Sequence, residues 1–175
     1  MPLSPSISLS ESSAHRQPTD STKSSQTRPS EARSALLSIA IGGTIAGLLD
    51  LTQASILFGL RIPLVIAAGL IGPKALHGGP ATFALGLLLH FFIAWSAAAI
   101  YYAASRPLPF MREFPLVCGL IFGAAVDITM NLIVLPLSAL HQTGPLELYD
   151  LRLGICVHMV VIGLPIAYAV RRFSA

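Results

Sequence analysis

The sequence predicts an all-α integral membrane protein with four transmembrane helices, and three observations carry that prediction. Only 11% of the 175 residues are charged and 54% are hydrophobic, whereas a soluble domain has about 25% charged residues. Mean hydropathy is +0.73. Four apolar runs, at 35–60, 80–104, 116–138 and 153–170, match the length that crosses roughly 30 Å of hydrocarbon at ~1.5 Å per residue. Each run also carries a glycine and one ionisable residue on a shared helical face: Gly47 with Asp50, Gly86 with His90, Gly123 with Asp127, and Gly154 with His158. Lipid solvates such groups poorly, so these faces turn toward one another.

Residues 1–34 are rich in Ser, Pro and Thr with few large apolar groups. They cannot bury enough surface to offset ordering entropy, which predicts a disordered cytoplasmic tail. The first helix, 35–60, holds Gly43 and Gly47 as a GxxxG pair, and Asp50 and Ala54 continue the face. The next stretch, RIPLVIAAGLIGPKALHGGP, has an apolar core at 62–71 that reaches only ~15 Å and cannot cross the bilayer. Pro63 suits a helix start and Gly72-Pro73 a break. This predicts a short interfacial helix, with a re-entrant hairpin as the alternative.

The second span sets Gly86, His90, Ala94, Ala98 and Tyr102 on one face. Trp95 falls near mid-membrane as a packing residue, and Tyr101 and Tyr102 suit the aromatic belt. The third span, LVCGLIFGAAVDITMNLIVLPLS, steps by fours through Gly119, Gly123, Asp127 and Asn131. Pro136 kinks or ends it. Pro145 starts the helix of the fourth span, and Pro165 kinks it. Cys118 and Cys156 fall toward opposite membrane faces, too far apart for a disulfide.

Topology follows from Lys and Arg near the helix ends. Arg28, Arg33, Arg106, Arg112, Arg171 and Arg172 share one side, against Arg61, Lys74 and Arg152 on the other. The positive-inside rule places both termini in the cytoplasm of a bacterial inner membrane. The chain also shows a weak internal echo. GTIAGLLDLT and GLIFGAAVDIT share GxxxG followed by Asp-apolar-Thr, and GLLLH and GICVH share GxxxH. This reads as two parallel two-helix repeats, 35–104 and 116–170, with coincidence as the competing reading.

Asp50, His90, Asp127 and His158 are expected to form one buried polar layer, with Asn131 a turn away. Gly43, Gly47, Gly86, Gly119, Gly123 and Gly154 are expected to pack the helices. An acid at a helix centre costs about 2.5–3.5 kcal/mol on insertion scales, and an interhelical hydrogen bond returns about 0.6 kcal/mol. Each Asp therefore needs to be protonated, paired with an imidazole, or placed in a watery cavity. Two Asp and two His could ligate a divalent cation, but no HExxH-like spacing supports a metal. With no Ser-His-Asp order, phosphate loop or redox CxxC, the chain is not read as an enzyme, and no cofactor is called for. The basic residues form no nucleic-acid footprint. The partner implied is the lipid bilayer, with a homo-oligomer or another membrane protein left open.

LLHFFIAWSAAAIYYAASRPLPF, the GLIFG and NLIVLP of the third span, and the His158 helix ending in Arg-Arg are similar to a bacterial inner-membrane family, the YagU-like proteins. The resemblance covers about residues 80–172. His90 and His158 match histidines of the family pattern; Asp127 falls in its most variable helix, and the loop before the second span differs. The resemblance implies an inner-membrane protein linked to acid resistance, with no established mechanism. Two functions stand against each other: a buried Asp/His layer serving proton-linked transport or acid-stress response, and a scaffold or accessory subunit whose polar layer only fixes helix packing.

Overall fold

The computed structural model describes residues 29–141 and 148–174. The expectations for residues 1–28 and for Pro145 lie outside them. The chain is a multi-pass membrane protein built from helices. Those long and apolar enough to span are α1 (Pro29–Phe58), α3 (Pro80–Ser105), α5 (Pro115–Leu137) and α6 (148–173). Between α1 and α3 lie α2 (Ile62–Ile71) and a 3₁₀ turn at Pro73–His77. A four-residue helix, α4 (Phe110–Glu113), precedes α5. Gly59 and Gly72, at φ +89° and +87°, make the tight breaks on either side of α2, which side chains with a Cβ would resist.

Two boundaries differ from expectation. Residues 29–34 are helical rather than part of a tail. Arg106 reaches Glu31 at 3.6 Å, and Ser38 at the same end donates to the Ser34 carbonyl at 2.8 Å. At the other end of the chain, the helix carrying His158 is already formed at Leu148, ahead of the expected membrane span at 153.

α3 packs on α1, α1 packs on the second half of α6, and α6 packs on α5. On the half of the bundle nearest Arg106, Arg112, Arg171 and Arg172, the interior is filled. Ala46, Ala98, Tyr101, Ile166 and Val170 are buried there, with Phe122 against them. Tyr101 is therefore a core residue and not part of an aromatic belt. Its hydroxyl donates to the Met111 carbonyl at 3.0 Å, and its ring meets Phe122 edge-on. Trp95 is 43% exposed; its indole N–H donates to Thr44 and its ring edge fills the space that Gly43 leaves.

On the opposite half, α2 packs on α3. A Cβ on Gly86 would collide with the Pro63 carbonyl, so only glycine admits α2 this close. At its other end, the Gly69 carbonyl accepts from Ala139 just past α5. Ala67, Ala68 and Ala75 form a small core there with Leu140. Thus α2 is a packed part of the bundle, and Gly86 serves α2 rather than a spanning neighbour.

α5 and α6 share a local deformation. Each widens into a π turn, at Met130–Val134 and Met159–Gly163. Each π turn leads into Leu-Pro, with the same spacing in MNLIVLP and MVVIGLP. Pro136 and Pro165 lack an N–H, and their rings clash with the carbonyl four residues back. Widening the preceding turn relieves that conflict.

Candidate functional site

Counting inward from the helix ends nearest Pro80 gives the depth of each polar residue. Asp50 lies eight residues before Phe58; His90, Asp127 and His158 lie ten residues from Pro80, Leu137 and Leu148. At ~1.5 Å per residue these are depths of about 12–15 Å. The early start of α6 is what brings His158 level with the others.

The structure gathers three of the four into one cluster. His158 Nδ1 lies 3.1 Å from Asp127 Oδ1, and its Nε2 lies 3.7 Å from Asp50 Oδ1. One imidazole therefore sits between two carboxylates from two other helices, in place of two separate Asp–His pairs. Asp127 is 2% exposed, and its Oδ2 has no hydrogen-bond partner. His90 stands apart from the carboxylates. Its Nε2 bonds the Gly47 carbonyl at 2.8 Å, tying α3 to α1 one turn from Asp50. Asn131 does not join the cluster either: its amide donates to the backbone carbonyl of Asp127 at 3.0 Å, at the entry to the π turn.

The glycine stripes explain why both acids meet the same histidine. Gly43 and Gly47 face Trp95 and Phe91 of α3, whereas Gly119 and Gly123 face Gly163 and the His158–Met159 backbone of α6. Asp127 follows Gly123 by four residues and stays near that stripe, toward α6. Asp50 follows Gly47 by three. At ~100° per residue that single-residue difference turns Asp50 off the face meeting α3. The face it gains meets α6. The same offset that weakens the sequence repeat thus makes the cluster.

Gly154 completes the fit. A Cβ there would stand 2.8 Å from Asp127 Oδ1, so glycine leaves room for the carboxylate rather than simply packing two helices. The Gly154 carbonyl also lies 2.9 Å from His158 Nδ1. A carbonyl only accepts, so Nδ1 carries hydrogen, shared between Gly154 and Asp127. That leaves Nε2, facing Asp50, as the nitrogen without hydrogen in the neutral ring. For His90 the argument is reversed, because its Nε2 is the donor to Gly47.

A cavity of about 390 Å³ reaches this cluster from the half opposite the arginines. Asp50, His90 and His158 lie on its wall with Ser138 the other polar residue, and it continues past them to Ala94, Ala97 and Ile162. Leu51, Ile66, Ile93 and Val134 are among the apolar remainder, from α1, α2, α3 and α5. Asp127 is behind His158 and does not line it. The π turn of α5 contributes Met130 and Val134 to the wall, and that of α6 contributes Ile162. These wall residues had no signal in the sequence beyond the two Leu-Pro pairs. Among the described residues, no group of three or more His, Cys, Asp or Glu is placed to hold a metal ion.

No protein-family model matches the chain, and neither a curated protein nor a solved structure does.

Proposed function

We propose that this is a small bacterial inner-membrane protein, both termini cytoplasmic, whose Asp50–His158–Asp127 cluster binds and releases a proton in proton-linked transport or acid-stress response. One observation carries the reading. A single imidazole is held between two carboxylates on the wall of a cavity. Its Nδ1 is committed to Gly154 and Asp127, while Nε2 faces Asp50 beside the open space. Such a ring gains or loses a proton without breaking the bond that orients it. The arginine placement supports the topology, since the six arginines cluster on the side of the termini. The acid-stress element rests on the resemblance to the YagU-like family.

The filled interior around Tyr101 and Ile166 favours one-sided access in this conformation. The cluster is then a proton-binding site reached from the periplasmic side, and passage across the membrane would require the packed half to rearrange.

A second reading is a scaffold, in which the cluster fixes helix register. It is favoured by the close approach of α5 and α6, where a Cβ on Gly123 would collide with the His158 carbonyl. Asp127→Asn separates the two, because the amide keeps the size and hydrogen-bonding capacity but does not titrate. Under proton binding, Asp127→Asn and His158→Gln fold normally yet lose the pH-dependent survival conferred by the intact chain, while His90→Gln, outside the carboxylate pair, has the smaller effect. Normal survival in Asp127→Asn, together with collapse of Gly123→Leu, decides for the scaffold.

A further inference from the structure

The cavity has features that a proton site alone does not need. At about 390 Å³ it lies in the range of small-molecule sites, with apolar walls and a few polar groups on them. Phe58 of α1 and Val65 and Leu70 of α2 line the cavity and are themselves exposed on the bundle surface, at 73%, 41% and 58%. The cavity wall is therefore continuous with the apolar surface of the bundle.

Charge selects the occupant. Asp50 is the acid on the cavity wall, and while it is ionised and His158 is neutral its negative charge has no cation beside it. Among the described residues, no Lys or Arg lines the cavity. An anion or a lipid phosphate would meet Asp50 with no cation to hold it. A lipophilic organic cation would place its charge against Asp50 and its apolar body between Ile66, Ile93 and Ala54.

We infer that this cavity binds a lipophilic organic cation that enters from the bilayer and pairs with Asp50. The inference rests on the proton-binding reading of the cluster and deepens it, because cation and proton then compete for the same negative charge. The groups facing the site are Asp50 from α1, His90 from α3, and His158 from α6 with Asp127 behind it. α2 presents no titratable group to it. Protonating any of these raises the local charge, so binding weakens as pH falls.

The test uses the purified full chain in nanodiscs with two probes of nearly the same shape and opposite charge, tetraphenylphosphonium and tetraphenylborate. Saturable phosphonium binding is expected, at least about tenfold tighter than borate, weakening at low pH and lost at least about tenfold in Asp50→Asn. Ala54→Trp and Ile66→Trp fill the cavity from two different helices, and each is expected to block the phosphonium. Equal or tighter borate binding would overturn the assignment, as would undiminished phosphonium binding in both tryptophan variants that elute as folded protein. Titration of the His158 ring in the same samples keeps the two readings apart. A ring that titrates without phosphonium binding removes the ligand and leaves the proton site. Phosphonium binding without titration of the ring removes the coupling and so overturns the competition.

Discussion

His158 makes two contacts of different kinds, and the difference gives it a role. At Nδ1 it meets Gly154 at 2.9 Å and Asp127 at 3.1 Å; at Nε2 the distance to Asp50 is 3.7 Å, too long for a direct hydrogen bond. The first side fixes the ring and the second responds. Gly154 is the residue on which the first side depends. Gly154→Ala is expected to push the Asp127 carboxylate off its place, because the new Cβ would stand 2.8 Å from Oδ1. The crowding should cost about 1–3 kcal/mol, read as a lower unfolding midpoint in detergent. Gly69→Ala is the control, since its Cβ would meet only Ser138 at 3.7 Å. An undiminished midpoint in Gly154→Ala would show that the helices separate easily and that the fit around Asp127 is not tight.

At the scale of the element, the two π turns set the geometry around the cluster. Both begin just after a cluster residue, Met159 directly after His158 and Met130 three residues after Asp127. Each is followed by Leu-Pro. Replacing Pro165 with Ala restores an N–H and removes the ring clash, so the widened turn can close to a regular helix. A residue's worth of winding, about 100°, would then separate His158 from the half of α6 packed on α1. Pro165→Ala is expected to fold, since alanine is the better helix former, but to lose the His158–Asp127 contact. Cross-linking between cysteines placed at 127 and 158 would report the loss, and wild-type cross-linking efficiency would mean that packing rather than Pro165 holds the turn.

Much of the site was legible in the sequence, and the limits have physical causes. A glycine three or four residues from an ionisable group named Asp50, Asp127, His90 and His158, because lipid would not solvate them. What the faces met was hidden. α1 touches both α3 and α6, so periodicity alone could not choose which neighbour Asp50 would address. His90 bonds a backbone carbonyl, and the sequence gives no sign of which carbonyl will be free of competition. The membrane part of α6 was set at 153 because LELYDLR is polar, whereas the depth of His158 is counted from the helical residues that precede it. Tyr101 looked interfacial because its partner, the Met111 carbonyl, belongs to a turn whose path the sequence does not reveal.

For the whole molecule, the bundle is asymmetric along its axis. One half is filled by Tyr101, Ile166, Val170 and their neighbours, and the other holds α2 and the cavity. Arg106, Arg112, Arg171 and Arg172 lie at the filled end, where Arg112 donates to the Ser174 carbonyl at 3.1 Å, and Arg61 lies at the other, donating to the Leu76 carbonyl. If that end is cytoplasmic, a reporter fused after Ala175 is expected to be active only as a cytoplasmic reporter. One inserted between Pro73 and Pro80 should be active only in the periplasm. The reverse pattern would overturn the proposed topology. The central claim concerns the cluster itself, and ring-nitrogen NMR of histidine-labelled full-length protein in nanodiscs addresses it most directly. At neutral pH, His158 is expected to hold hydrogen on Nδ1 and His90 on Nε2. Asp50→Asn and Asp127→Asn should each shift the His158 ring-nitrogen signals and leave those of exposed His77 and His141 in place. His158 signals that put hydrogen on Nε2 at neutral pH, or that ignore both substitutions, would contradict the account.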